Sequence, residues 1–319
     1  MTLFGFLNCD KPPGMTSRDV VNVVQRRLRG VKVGHAGTLD PLAEGVLVLG
    51  VGPAVRLVPY VQQQAKHYHA TFRLGASSIS GDLEGEVTQH AELPIPSPEE
   101  IETAAVGLVG RIEQVPPAHS AIWVDGRRAY QRIRAGEEFD MPKRTVEVYS
   151  LQVLRYQFPE LELDIVCGSG TYIRTLGLDL ALAAGSTAVM SHLRRQGVGP
   201  FVDADSVSLD QLRTDDIQSM LVPPTMAVHQ LPQLAIDETG SERLGHGLCV
   251  AGQPSGDPKK SLPEAGWAEG NWAEGNWADG NWADGSEAAA VDASGALRAI
   301  VRRKNELWCP YRVFPRPSS

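Results

Sequence analysis

At 319 residues, with 42% hydrophobic residues, the chain has room for two domains and a sizeable core. No apolar run approaches the ~20 residues of a membrane-spanning helix, and the first residues, MTLFGFLNCDKPPG, lack the pattern of a signal peptide. The formal net charge of −8 is the wrong sign for a polyanion binder unless cations cluster locally. Residues 1–215 hold 21 Lys and Arg against 25 Asp and Glu, and the remainder 9 against 13, so neither part is basic. Clusters do occur, at Arg26, Arg27, Arg29 and Lys32, at Arg127, Arg128, Arg132 and Arg134, and at Arg302, Arg303 and Lys304. About half of such runs are expected to be solvated helix faces. The four cysteines (9, 167, 249 and 309) lie far apart, which predicts buried free thiols in a reducing cytoplasm and neither zinc site nor disulfide.

In chain order, residues 3–8 read as a strand and DKPPGMTS as a loop. Thr16 with Asp19 resembles a capping box, with Asp in place of the usual Glu. Val20, Val21, Val24 and Leu28 then share a helical face that Gly30 stops. Val46–Val51 is a buried strand. From residue 67 the alternation of Tyr68, Ala70, Phe72 and Leu74 with polar partners predicts a strand. SSISGDLEGEVTQH reads as a loop, 98–110 as a helix and 161–167 as a strand. GSGTYIRTLGLDLALAAG becomes a helix through Ile173, Leu176 and Leu180, ended by Gly185. Strands and helices mix without βαβ alternation, so the class is α+β. From Leu221 a proline-punctuated linker leads to short strands around 245–251, 297–302 and 307–314. Between them, within an insertion at about 252–290, Trp-Ala-Glu/Asp-Gly recurs four times at residues 266–285 with a period of five. That period fits no helix, strand or solenoid, and predicts an expanded surface loop.

The chemistry is best sought in GHAGTLDPLAEGVLVLG, residues 34–50. Pro41 pushes Asp40 toward an extended conformation, so the loop offers a carboxylate ahead of an oily strand. A plain turn is the competing reading. His67 and His69 share a strand face without a third ligand, so no metal site is expected. Neither a dinucleotide-binding nor a Walker loop is present, and no cofactor is expected. A carboxylate loop, Tyr68 at a strand start and Arg174 at a helix start suit an enzyme that attacks a nucleotide with an aspartate. A glycoside hydrolase would instead pair Asp40 with Glu44 or Asp82, but the chain lacks the aromatic-rich stretches of a sugar cleft. An RNA chaperone that merely grips its target is the remaining alternative.

Five stretches, DKPPGMTSRDVV, GHAGTLDPLAEGVLVLGVGPAVRL, KHYHATFRLG, VPPAHSAIWVDGRRAYQRIRAG and CGSGTYIRTLGLDLA, stand in the order and spacing of the bacterial tRNA pseudouridine synthase B family, which residues 3–215 resemble. SHLRRQGVGPF supports the likeness. It implies a pseudouridine-synthase fold with a mixed central sheet over residues 1–215, and a linker with a small β-rich, PUA-like RNA-binding domain over 216–319. By the same resemblance Asp40 is the nucleophile acting on uridine-55 in the T arm of tRNA, paired with Arg174. Tyr68 stacks on the target base, Tyr172 and Leu193 line its pocket, and His35 holds the displaced loop nucleotides. Whether Asp40 adds to the base or the sugar or abstracts a proton stays open. A cytoplasmic monomer without cofactor or metal is implied. Trp123 stands where many relatives carry lysine.

Overall fold

The computed structural model describes residues 3–117, 123–124, 127–128, 141–255 and 282–315. They form two compact units, each assembled from separate stretches of chain: 1–40, 46–62 and 199–319 in the first, 41–45 and 63–198 in the second. Among the described residues no helix is long and apolar enough to cross a membrane.

The first unit opens with β1 (Gly5–Lys11), buried along nearly its whole length. Phe6 exchanges backbone hydrogen bonds with Val222 at 3.0 and 2.8 Å. Gly5 is required there, because a Cβ would meet the Val222 carbonyl oxygen at 2.7 Å. Helix α1 (Ser17–Arg27) starts with the expected capping box: Asp19 N–H donates to the Thr16 hydroxyl, and the Asp19 carboxylate accepts the Thr16 N–H at 2.9 Å. It ends at Leu28, two residues before Gly30. Strands β2 (Val33–His35) and β3 (Glu44–Val51) pair antiparallel, His35 opposite Leu49. The segment opening with Gly34 is therefore a hairpin with Asp40 in its loop. A 3₁₀ turn and α2 (Val58–Gln63) follow, neither of which the apolar pattern signals.

The second unit runs through β4 (Lys66–Leu74), β5 (Ala76–Ser78), β6 (Val87–Gln89), α3 (Pro98–Gly107) and β7 (Gly110–Gln114). Then come β8 (Trp123–Val124), β9 (Arg127–Arg128), β10 (Arg144–Gln157), β11 (Glu160–Cys167), α4 (Ile173–Ala183) and β12 (Ala188–Val198). Its sheet has the order β12-β4-β11-β10-β7, antiparallel throughout. Glu44 and Gly45, at the start of β3, lie parallel to Arg194 and Arg195 of β12, which makes the sheet mixed. Helix α4 presses on one face of it. A Cβ on Gly177 would come within 2.0 Å of the Phe72 ring, so only glycine lets the helix approach this closely. The Trp123 side chain and those of the arginines at 127, 128, 132 and 134 lie outside the described residues.

The first unit resumes with β13 (Phe201–Val202), α5 (Leu209–Thr214), β14 (Gln233–Ala235), α6 (Glu238–Gly245), β15 (Glu287–Val291), β16 (Leu297–Lys304) and β17 (Leu307–Val313). The last four strands form a sheet, β14-β15-β16-β17, over a core that includes Leu234, Leu244 and Trp308. Three expectations are corrected. The strand expected around 245–251 is the end of α6 followed by one bridging residue, Val250 opposite Trp308. That antiparallel bridge sets Cys249 against Cys309, and the two are joined in a disulfide; only Cys9 and Cys167 are buried free thiols. The repeat at 266–285 is not wholly an expanded loop. Residues 266–281 lie outside the described residues, but Trp282 packs edge-on against Trp308 at 5.9 Å and Asp284 accepts the Asn305 N–H at 3.1 Å. Deleting 266–281 is expected to leave the melting temperature unchanged. Extending the deletion to 285 strips Trp282 from the core and lowers it by about 5 °C, a contrast that differential scanning calorimetry of the two variants reads.

Candidate active site

In the first unit Asp40 is half-buried between Leu39 and Pro41. Leu39 is fixed from both sides by Ser17 at the start of α1. Its N–H donates to the Ser17 hydroxyl at 2.8 Å, and that hydroxyl donates to its carbonyl at 3.1 Å. The capped helix thus sets the backbone one residue before the carboxylate. His35 lies at the end of β2, also half-buried.

In the second unit the alternation of β4 puts Tyr68, Ala70 and Phe72 on the buried face. Tyr68 faces Ile165 on one side and Arg195 on the other, while Ala70 faces Leu193. Tyr68, 8% exposed, and Leu193, 5% exposed, are therefore diagonal neighbours on one face. Arg174 lies one helical step from Gly177, the residue that rests on Phe72, so α4 turns it toward that same face. Tyr172 caps α4 with its backbone held by the buried Gln114: its N–H donates to Gln114 Oε1 at 3.0 Å and its carbonyl accepts from Nε2 at 3.3 Å.

Arg174 is 7% exposed, and the guanidinium donates to the Ser80 carbonyl at 2.5 Å and lies 3.5 Å from Asp82 Oδ2. Asp82 is 2% exposed; its other oxygen accepts from Ser80 Oγ at 2.6 Å and Glu84 N–H at 3.1 Å. The segment is held beside β12 by Met190, which donates to the Gly81 carbonyl and accepts from Leu83. Buried carboxylate and buried guanidinium so compensate each other. The sequence weighed Asp82 only as a glycosidase carboxylate; its partnership with Arg174 carries no local signal. Glu44, the other such candidate, faces Arg194 at 3.0 Å and His192 at 3.3 Å.

His67 and His69 point to the opposite side of β4, toward Asp164 at 2.7 Å and Glu162 at 3.7 Å. Among the described residues no three His, Cys, Asp or Glu converge as metal ligands. Lys66, two residues before Tyr68, is buried and donates to the Gln64 carbonyl at 2.5 Å. Burial, and then Arg195, bring its pKa from 10.5 to about 8. The unfolded chain binds the proton up to 10.5, so stability is expected to rise as pH climbs from about 8 toward 9, above which the buried thiols of Cys9 and Cys167, whose pKa values burial raises, act in the opposite sense. Urea midpoints across that range will show the rise, and Lys66→Met will flatten it.

Residues 25–173 match the family model described as TruB family pseudouridylate synthase (N terminal domain), and residues 174–223 match the tRNA pseudouridylate synthase B C-terminal domain. The chain is similar to a tRNA pseudouridine synthase B of Rhodopirellula baltica, 43% identical over 99% of this chain and 96% of that protein. A tRNA pseudouridine synthase B of Synechocystis sp. is 41% identical over 77% of this chain and 84% of its own length. Among solved structures, a Cbf5-Nop10-Gar1 complex aligns with a TM-score of 0.67 and 26% identity, over 94% of this chain and 78% of that one. An H/ACA RNP bound to a substrate RNA containing 2′-deoxyuridine shares the fold, with a TM-score of 0.69 and 24% identity over 99% of this chain and 86% of that one.

Proposed function

Because the chain belongs to the TruB family of pseudouridylate synthases and is a pseudouridine synthase, we propose that it converts uridine-55 in the T arm of tRNA to pseudouridine, with Asp40 as the nucleophile. The observation that carries this reading is the face where Tyr68 and Leu193 adjoin and Arg174 is clamped by Asp82. A uracil inside a folded loop must be turned out before its glycosidic bond can be reached. Tyr68 then gives the flipped base a stacking surface, worth ~1–3 kcal/mol. Leu193 and Tyr172 enclose it, and His35 holds the displaced loop nucleotides. In this reading Arg174 is also the partner of Asp40; a guanidinium has five donors and serves several acceptors. The C1′–N1 bond breaks, the uracil turns, and a C1′–C5 bond forms. C5 gives up a proton and N1 takes one up, so the atoms balance without an oxidant or co-substrate.

In this reading residues 1–215 carry catalysis and residues 216–319 bind RNA. On β16 and β17 the Arg302 and Arg312 guanidiniums lie 3.4 and 5.0 Å from the centre of the exposed Tyr311 ring, a cationic and aromatic surface of the kind single strands use. The test is incubation of the full chain with a tRNA transcript, chemical derivatisation of pseudouridine and mass spectrometry of the fragments. One adduct, at position 55, is expected. No adduct, or adducts only elsewhere, overturns the reading.

A further inference from the structure

The second unit holds a polar cavity of about 480 Å³ that the mechanism leaves unused, lined by Arg111 of β7, Thr145, Glu147 and Tyr149 of β10, and Gly168 and Ser169. Its construction is specific. The pairing of β10 with β11 passes from Val148 opposite Cys167 to Ser150 opposite Val166, so Tyr149 is the residue left over. A bulge of this kind re-aims a side chain out of the alternation and recurs beside functional sites. Glu147 stands opposite Arg111 in the ladder, so both charged side chains leave the same face. The Gly168 N–H is tied to the Glu147 carbonyl at 2.8 Å, and a Cβ at Gly168 would reach within 3.3 Å of the Tyr149 hydroxyl oxygen. Glycine therefore keeps the floor open. Burial and the Glu147 charge both raise the Tyr149 pKa, so the ring remains a neutral phenol.

The cavity is joined to the candidate site by chain. Ser169 is three residues from Tyr172, at most about 11 Å of backbone, or some three nucleotides at the stacked rise of ~3.4 Å. Gln114 fastens the β7 wall to Tyr172.

Resting on the function proposed above, we infer that this cavity receives a second base of the RNA substrate, within three nucleotides of the isomerised uridine. Tyr149 stacks on that base, Arg111 meets its phosphate, and the Glu147 carboxylate accepts from an amino group on the base edge. A carboxylate only accepts, so it meets a base edge through that edge's N–H groups.

The test titrates the full chain with a labelled T-arm stem-loop RNA and with versions carrying one abasic site at each of the three nucleotides on either side of the target. In the parent protein one abasic position is expected to raise Kd about tenfold. In Tyr149→Leu, which fills the volume without a flat ring, the same abasic site is expected to add nothing further. Full additivity of Tyr149→Leu with every abasic site overturns the inference. Turnover of the unaltered stem-loop, followed in parallel, judges the proposed function separately, because the titration reads binding whether or not the RNA is converted.

Discussion

Asp40→Asn leaves tRNA affinity within about threefold of the parent and lowers turnover by roughly 10⁴-fold or more, the scale on which removing a nucleophile acts. The replacement has the same shape. Leu39 stays anchored to Ser17 through two hydrogen bonds, and Pro41 still restrains the backbone, so the loop keeps its path. Only the charge disappears. Single-turnover assays with derivatised product, run beside filter-binding titrations, separate the two effects. Turnover within tenfold of the parent refutes Asp40 as the nucleophile.

Arg174→Lys lowers kcat by about 100-fold and also weakens the fold. Lysine keeps a positive charge but loses the planar guanidinium, whose Nη1 lies against both the Ser80 carbonyl and Asp82. Asp82, with almost no access to water, is left with a poorer partner, at a cost of about 1–2 kcal/mol. Arg174→Met removes the charge altogether and strands the buried carboxylate, costing about 3–5 kcal/mol. Urea denaturation measures stability and single-turnover rates measure catalysis. If Arg174→Lys loses stability but keeps its kcat, Arg174 is a clamp for residues 80–84 and takes no part in the reaction.

Features set by neighbours in sequence were legible before the structure. The capping box at Thr16 and Asp19, the alternation through Tyr68 and Phe72, and the helix from Ile173 all follow from spacing within one or two turns. The candidate site residues came from motif resemblance, and the structure adds that Tyr68 and Leu193 share a face. What escaped depends on distant partners. Asp82 sits in a stretch read as loop, and its meaning comes from Arg174 and from Met190. Cys249 meets Cys309 because of a bridge made by their neighbours, sixty residues apart in sequence. Trp282 belongs to a repeat whose composition argues for solvent, yet Trp308 offers it an apolar wall. Strands β14 and β15 were missed because β14 has three residues and β15 is mostly alanine, which has little strand preference.

The ends of the inserted segment lead to a different kind of consequence. Ser255 exchanges two backbone hydrogen bonds with Gln233, and Trp282 is seated on Trp308, so the residues on either side of the interval 256–281 are fixed stations of this unit. The free energy of closing a chain between fixed stations grows only logarithmically with its length, by about 0.6 kcal/mol per doubling. Selection on the fold therefore has little grip on how many residues lie between them. The interval from 256 to 281 is a port into which evolution could copy a five-residue unit repeatedly, and into which an engineer could splice a foreign domain, with the surrounding sheet indifferent to the cargo.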